Sequence, residues 1–103
     1  MSNIEIPIAL SESHFEQENE VFGQNFTYEF EWIELEAFWM LHIFDDHQTP
    51  LAVGVKLQPD CPLYVYHLSS SSIIFMLAAT SMGETLSRET LKTHFALVAY
   101  EAF

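Results

Sequence analysis

The clearest hydrophobic pattern runs from Asn25 to Trp32, where Phe26, Tyr28, Phe30 and Trp32 alternate with Asn25, Thr27, Glu29 and Glu31. Successive side chains of a strand point to opposite faces, so this period predicts a strand that sends four aromatics into a core and leaves its polar set to water or a partner. The run from Phe38 to Phe44 is apolar at every position except His42. It predicts a strand covered on both faces, with Trp39, Leu41 and Ile43 in the core. Glu34 to Ala37 joins the two runs as a hairpin connection.

The remaining elements follow the same logic. Ile4, Ile6 and Ile8 alternate with polar positions around Pro7, which places this strand near a sheet edge or at a strand end. Phe15 to Phe22 predicts a second, weaker strand. Asp45 to Pro50 reads as a turn, because its short polar side chains bond their own backbone and its proline donates nothing to a ladder. Leu51, Val53, Val55 and Leu57 alternate with Ala52, Gly54 and Lys56, predicting a strand that returns antiparallel. Leu63 to Leu68 fits a strand or a helical turn, Ser69 to Ser72 is a polar tether, and Ile73 to Ala79 is a strand. Thr80 to Lys92 contains Gly83 and a Ser81-x-x-Glu84 spacing that suits the cap of a short helix, and Thr93 to Tyr100 closes the chain as a strand. Six to eight short strands, at most one short helix and no internal repeat predict an all-β fold, a single antiparallel sandwich or barrel over residues 1–103.

Composition supports one compact unit. The chain has 103 residues, of which 50% are hydrophobic and 15% aromatic, ample material for a core without disulfide or metal staples. The lone Cys61 forms no internal disulfide and supplies no cysteine-based zinc cage. The N-terminal stretch has no signal-peptide pattern, and no apolar run approaches the ~20 residues needed to span a bilayer, so a soluble protein without membrane insertion is expected.

Charge changes the picture more than composition does. The formal net charge is −12; residues 1 to 36 carry nine Glu and no Lys or Arg, whereas the remainder carries six acids and three bases. Such a field repels phosphate backbones and disfavours nucleic-acid binding, while it attracts basic partners. The plain alternative is that these acids solvate an aromatic-rich domain and limit self-association.

Candidate chemistry is sparse. Asp45, Asp46 and His47 place two carboxylates and an imidazole in three residues, and Glu16, Glu18 and Glu20 share one strand face. Either group could hold a hard cation, but neither has a metal-binding spacing, and adjacent ligands on a tight turn diverge; the turn is the favoured reading. His42 reads as a satisfied core or interface histidine rather than a catalytic base. Ser69 to Ser72 beside His67 lacks a nucleophile elbow, and the three glycines are too scattered for a phosphate loop. The stripe Phe26, Tyr28, Phe30 and Trp32 reads as core, because base stacking would need basic residues in the same groove. No catalytic apparatus or cofactor site is expected, which leaves a binding or structural module.

The order of these elements resembles the small phage baseplate plug proteins. The resemblance spans nearly the whole chain. It rests on Ile4 to Ile8, Phe15, the run Phe26 to Trp32, the Trp39, Leu41, Ile43 triplet ending in Asp45, Pro50 and Leu51 with Gly54 and Leu57, and the closing Phe95 to Tyr100. The chain has Leu91-Lys92 where the family commonly has Leu-Gly, and its middle, Cys61 to Ser72, is poorer in glycine. The resemblance implies a structural virion protein of a tailed phage or prophage, present in several copies and without enzyme activity. It would meet the hub, the tail-tube end and the spike in the baseplate, after assembly in the host cytoplasm. Glu16, Glu18, Glu20, Asp45, Asp46 and His47 are the candidate interface residues. The rival reading is an acidic nucleic-acid mimic or inhibitor that binds a basic host protein.

Overall fold

The computed structural model describes residues 2–6, 8, 12–80, 85–87 and 89–102. They form β1 (Ser2–Ile6), β2 (His14–Val21), β3 (Gln24–Ile33), β4 (Phe38–Phe44), β5 (Pro50–Lys56), β6 (Pro62–His67), β7 (Ser72–Ala79), a single helical turn α1 (Leu91–His94) and β8 (Phe95–Ala102). Two four-stranded antiparallel sheets result, in the orders β1-β8-β7-β6 and β2-β3-β4-β5. Both sheets keep free edges, so the architecture is a sandwich and not a closed barrel. The N-terminal strand lies at an edge, as its proline implied, and pairs with the last strand through Ile4 opposite Ala99 and Ile6 opposite Leu97.

The aromatic alternation of β3 forms the core as expected at three of its four positions. Phe26, Tyr28 and Phe30 are buried, together with Trp39, Leu41 and Ile43 of β4 and Ile73, Phe75 and Leu77 of β7. Phe15 stacks on Phe30 with ring centroids 4.8 Å apart, and Phe26 meets Phe75 edge-on at 5.2 Å, which joins the two sheets. Trp32 departs from the expectation. Near the end of β3 it is half-buried, meets Trp39 at 5.5 Å and donates its indole N–H to Glu34 at 2.6 Å. Thr27, on the polar parity, is buried, and its hydroxyl accepts a hydrogen bond from the Gln48 side chain.

Three further expectations need correction. Strand β4 is covered on one face only: Trp39, Leu41 and Ile43 are buried, while Phe38, Met40, His42 and Phe44 face outward and are half-buried. Strand β5 does not alternate. Its register against β4 slips twice, so that Leu41 faces Val55, Ile43 faces Ala52 and Phe44 faces Pro50. Gly54, at φ +73°, turns the backbone at the first slip, and Val53 points to solvent at 65% exposure while Leu51, Ala52 and Val55 pack on the core. The tether after Leu63 to Leu68 is shorter than read: residues 62 to 67 are strand, Leu68 N–H donates to Ser71 O, and Ser72 already belongs to β7. The helical turn falls at Leu91 to His94; the Ser81-x-x-Glu84 cap lies outside the described residues.

Connections use conformations that suit their residues unequally. Phe22 and Gly23 close the β2–β3 hairpin with φ of 49° and 81°. A two-residue loop with both φ positive matches the twist of the flanking strands. Glycine adopts this freely, whereas Phe22 is held there by packing against the core. Among the described residues no helix is long and apolar enough to cross a membrane.

Candidate interaction surface

The outward face of β2-β3-β4-β5 gathers most of the acidic residues singled out by the sequence. On β2, Glu16, Glu18 and Glu20 are exposed on one face, with Phe15 and Val21 buried on the other. Pairing places Glu16 opposite Glu29, Glu18 opposite Thr27 and Glu20 opposite Asn25. Like charges opposite each other repel. The repulsion is relieved at one corner, where His14 bonds the Glu29 carboxylate. That bond holds His14 above its ordinary value of 6.5; desolvation opposes it, and the nearby Glu31 and Glu12 carboxylates add to it. Glu12, His14, Phe15, Glu16 and Glu29 line an open depression of about 310 Å³ on this face.

Across the sheet the face changes from charged to apolar. His42 sits between the two zones: its Nδ1 accepts the Gly54 N–H at 3.0 Å and its Nε2 lies 3.7 Å from Glu31. The satisfied-histidine reading describes it well. Phe38 carries the Lys56 ammonium 5.4 Å above its ring. Phe38 and Lys56 also help line a second cavity of about 380 Å³ with Leu57, Pro59 and Leu86. A basic partner would meet carboxylates on β2 and β3, and apolar surface on β4.

Asp45, Asp46 and His47 form the expected turn at the end of this sheet. One Asp45 carboxylate oxygen accepts the N–H of His47 at 2.9 Å and that of Thr49 at 2.8 Å, and Gln48 N–H closes the turn on Asp45 O. Asp46 and His47 project to solvent, 3.7 Å apart. No group of three possible ligands is placed to hold a metal ion among the described residues. The turn therefore stands beside the Glu16, Glu18, Glu20 row as a separate exposed feature rather than as part of one pocket. His67 Nδ1 lies 3.2 Å from the Ser72 hydroxyl at the β6–β7 turn, where Ser72 serves as the first residue of a strand.

Sequence reasoning missed the parts of the acidic face that depend on register. Glu12 and His14 join Glu16 and Glu29 only because β2 and β3 pair with His14 opposite Glu31. The sole sequence signal was the alternation of glutamates on both strands, which gives the faces but not which residues meet.

No curated protein and no solved structure matches the chain. The family model described as the cyanophage Pam3 baseplate plug gp18 matches residues 1–102. This coverage establishes that the chain belongs to the Pam3 gp18 baseplate plug family.

Proposed function

We propose that the protein is a structural component of a phage tail baseplate, a plug held near the hub and tube axis by contacts with neighbouring proteins. Family membership over residues 1–102 carries this reading. The surface is consistent with it: the sandwich presents Glu16, Glu18 and Glu20 together on one outward face. Glu16, Glu18, Glu20 and Glu29 attract a basic hub or tube-end surface and steer its approach, while apolar contacts around Phe38 and Phe44 supply the area that keeps it bound. The Asp45 to Thr49 turn, at the end of the same sheet, is a second contact point, made rigid by the Asp45 carboxylate.

The test is reconstitution. Mixed with the hub, tube-end and spike proteins of its own phage, the protein should enter a complex of defined stoichiometry, and phage lacking it should fail to build infectious baseplates. If it stays alone with each of them and phage lacking it remain infectious, the structural reading is wrong. The regular row of carboxylates on β2, about 7 Å apart at alternate strand residues, also favours a second reading, an acidic mimic bound by a basic host protein. Recovery of one stoichiometric host DNA-binding protein, displaced by DNA, would favour that reading instead.

A further inference from the structure

The edge strands of the sandwich differ in what they can accept. An edge exposes a row of backbone N–H and C=O groups that can pair with another strand, and short length, prolines and bulges remove that capacity. Strand β1 has only five residues. Strand β5 starts at Pro50 and slips twice in register, and β6 starts at Pro62 and slips once. Strand β2 carries none of these devices. Its eight residues include neither proline nor glycine and pair with β3 without a slip, from His14 opposite Glu31 to Val21 opposite Gln24.

The phase of the β2–β3 ladder fixes which backbone groups face away from it. Trp32 N–H donates to Ser13 O at 2.8 Å, one step beyond the paired run. Hydrogen-bonded pairs alternate with non-bonded ones in an antiparallel ladder, so Phe15, Gln17, Asn19 and Val21 bond β3, while His14, Glu16, Glu18 and Glu20 turn their N–H and C=O outward. Among the described residues no backbone hydrogen bond reaches these outward positions. The same positions carry the exposed carboxylates of Glu16, Glu18 and Glu20. A strand added here would set its own side chains about 5 Å from them on the outward face.

We infer that the outer edge of β2 binds an extended segment of a partner protein as an added strand of its sheet, with Lys or Arg opposite Glu16, Glu18 and Glu20. Charge selects this occupant. A proline or a bulge excludes every strand, whereas a row of carboxylates excludes only strands of like charge. The β2 of a second copy would set this row against itself and is repelled. A basic strand gains cross-strand ion pairs in addition to the ladder hydrogen bonds. At the other parity the rim is Gln17 and Asn19, half-buried and joined by a side-chain hydrogen bond, which fits small or polar side chains on the partner. This inference rests on the reading that the acidic face meets a basic partner, and it adds the mode of contact: backbone pairing at an edge rather than charge attraction across a face.

A peptide of alternating Lys and Thr, about eight residues long to match β2, tests it on the purified full chain. It should bind at low salt and protect the amides of Glu16, Glu18 and Glu20 from hydrogen exchange. N-methylation of its Lys residues, whose N–H groups would face β2, should weaken binding at least about tenfold, whereas N-methylation of its Thr residues, whose N–H groups would face away, should change it less than about twofold at equal charge. On the protein, Glu18→Pro removes an N–H that points away from β3, so the fold should persist while binding falls well below that of Glu18→Gln, which removes the charge alone. The peptide comparison needs no variant of the protein. Equal binding by the two N-methylated peptides would overturn strand addition and leave the acidic face as a surface of charge attraction. Absence of binding by every peptide at low salt would overturn both. A dimer of the chain in light scattering that Glu18→Pro abolishes would assign the edge to a second copy and overturn the basic occupant.

Discussion

The two outward faces of the sandwich share their strand number and antiparallel pairing, and differ in chemistry. On β2-β3-β4-β5 the outward positions of the first two strands are mostly carboxylates, and the apolar outward residues gather toward the other side, with Ile33, Phe38, Met40, Phe44 and Val53. On β1-β8-β7-β6 the outward positions of the two central strands are Ser, Ile, Met, Ala, Val and Tyr, with Glu5 of the edge strand opposite Val98. Carboxylates lose little when they stay in water and steer partners of opposite charge; aliphatic side chains gain when water leaves them. One scaffold therefore presents an electrostatic surface on one sheet and a largely apolar one on the other.

The largest effect should separate inward from outward positions. Trp39 is fully buried, its indole N–H bonded to Ser87 O at 2.9 Å, so Trp39→Ala should cost about 3–5 kcal/mol in a denaturant titration, a large share of a ~10 kcal/mol domain. Trp32→Ala should cost roughly half as much, because Trp32 is only half-buried. Met76→Glu should cost under ~1 kcal/mol if its face is open to solvent in the monomer. Should Met76→Glu cost as much as Trp39→Ala, the face belongs to the core and the contrast between the two surfaces disappears.

A smaller effect concerns a polar atom inside the core. The Tyr28 hydroxyl is buried with no hydrogen-bond partner among the described residues, so Tyr28→Phe should raise stability by up to ~1 kcal/mol. Burial also raises the Tyr28 phenol above its ordinary value of 10.0. Above that pH the unfolded chain releases the proton while the folded chain keeps it, so stability falls as pH rises past 10.0. Tyr28→Phe should remove much of that alkaline loss, measured as melting temperature against pH. Equal loss in both proteins would show that the phenol is not held neutral.

The acidic face itself should respond to one proton. His14 lies above 6.5 chiefly through its bond to Glu29, and its favourable contribution is fully present below 6.5 and lost as pH rises through the raised folded value. Its imidazole resonances should titrate above 6.5 in the native chain and return toward that value in Glu29→Gln. If Glu29→Gln leaves the titration unchanged, the pairing of His14 with Glu29 is absent in solution.

Much of this was legible in the sequence because period two reports faces directly. The alternation of Phe26, Tyr28 and Phe30 with glutamate placed both the core and the acidic surface, and Pro7 placed β1 at an edge. What failed was local or external to the pattern. The slips at Gly54 send Val53 outward, and no hydropathy pattern encodes a bulge. Trp32 lies too near the end of β3 to be enclosed, although its parity is right. The run Phe38 to Phe44 was read as covered on both faces because it is apolar on both parities, yet nothing in the described chain covers its outer face. Such a run reports surface that gains by burial, which a partner molecule supplies as well as the chain's own core.

The assignment of the acidic face to partner binding is tested most directly by the salt dependence of association with the hub and tube-end proteins, followed by stopped-flow mixing of the native chain and of the Glu16→Gln, Glu18→Gln, Glu20→Gln variant. The native protein should associate rapidly at low salt and slow as screening removes the steering; the variant should be slow throughout and depend little on salt, with its stability unchanged within ~0.5 kcal/mol. Identical rates and identical salt dependence for the two proteins would contradict the assignment of the acidic face to partner binding.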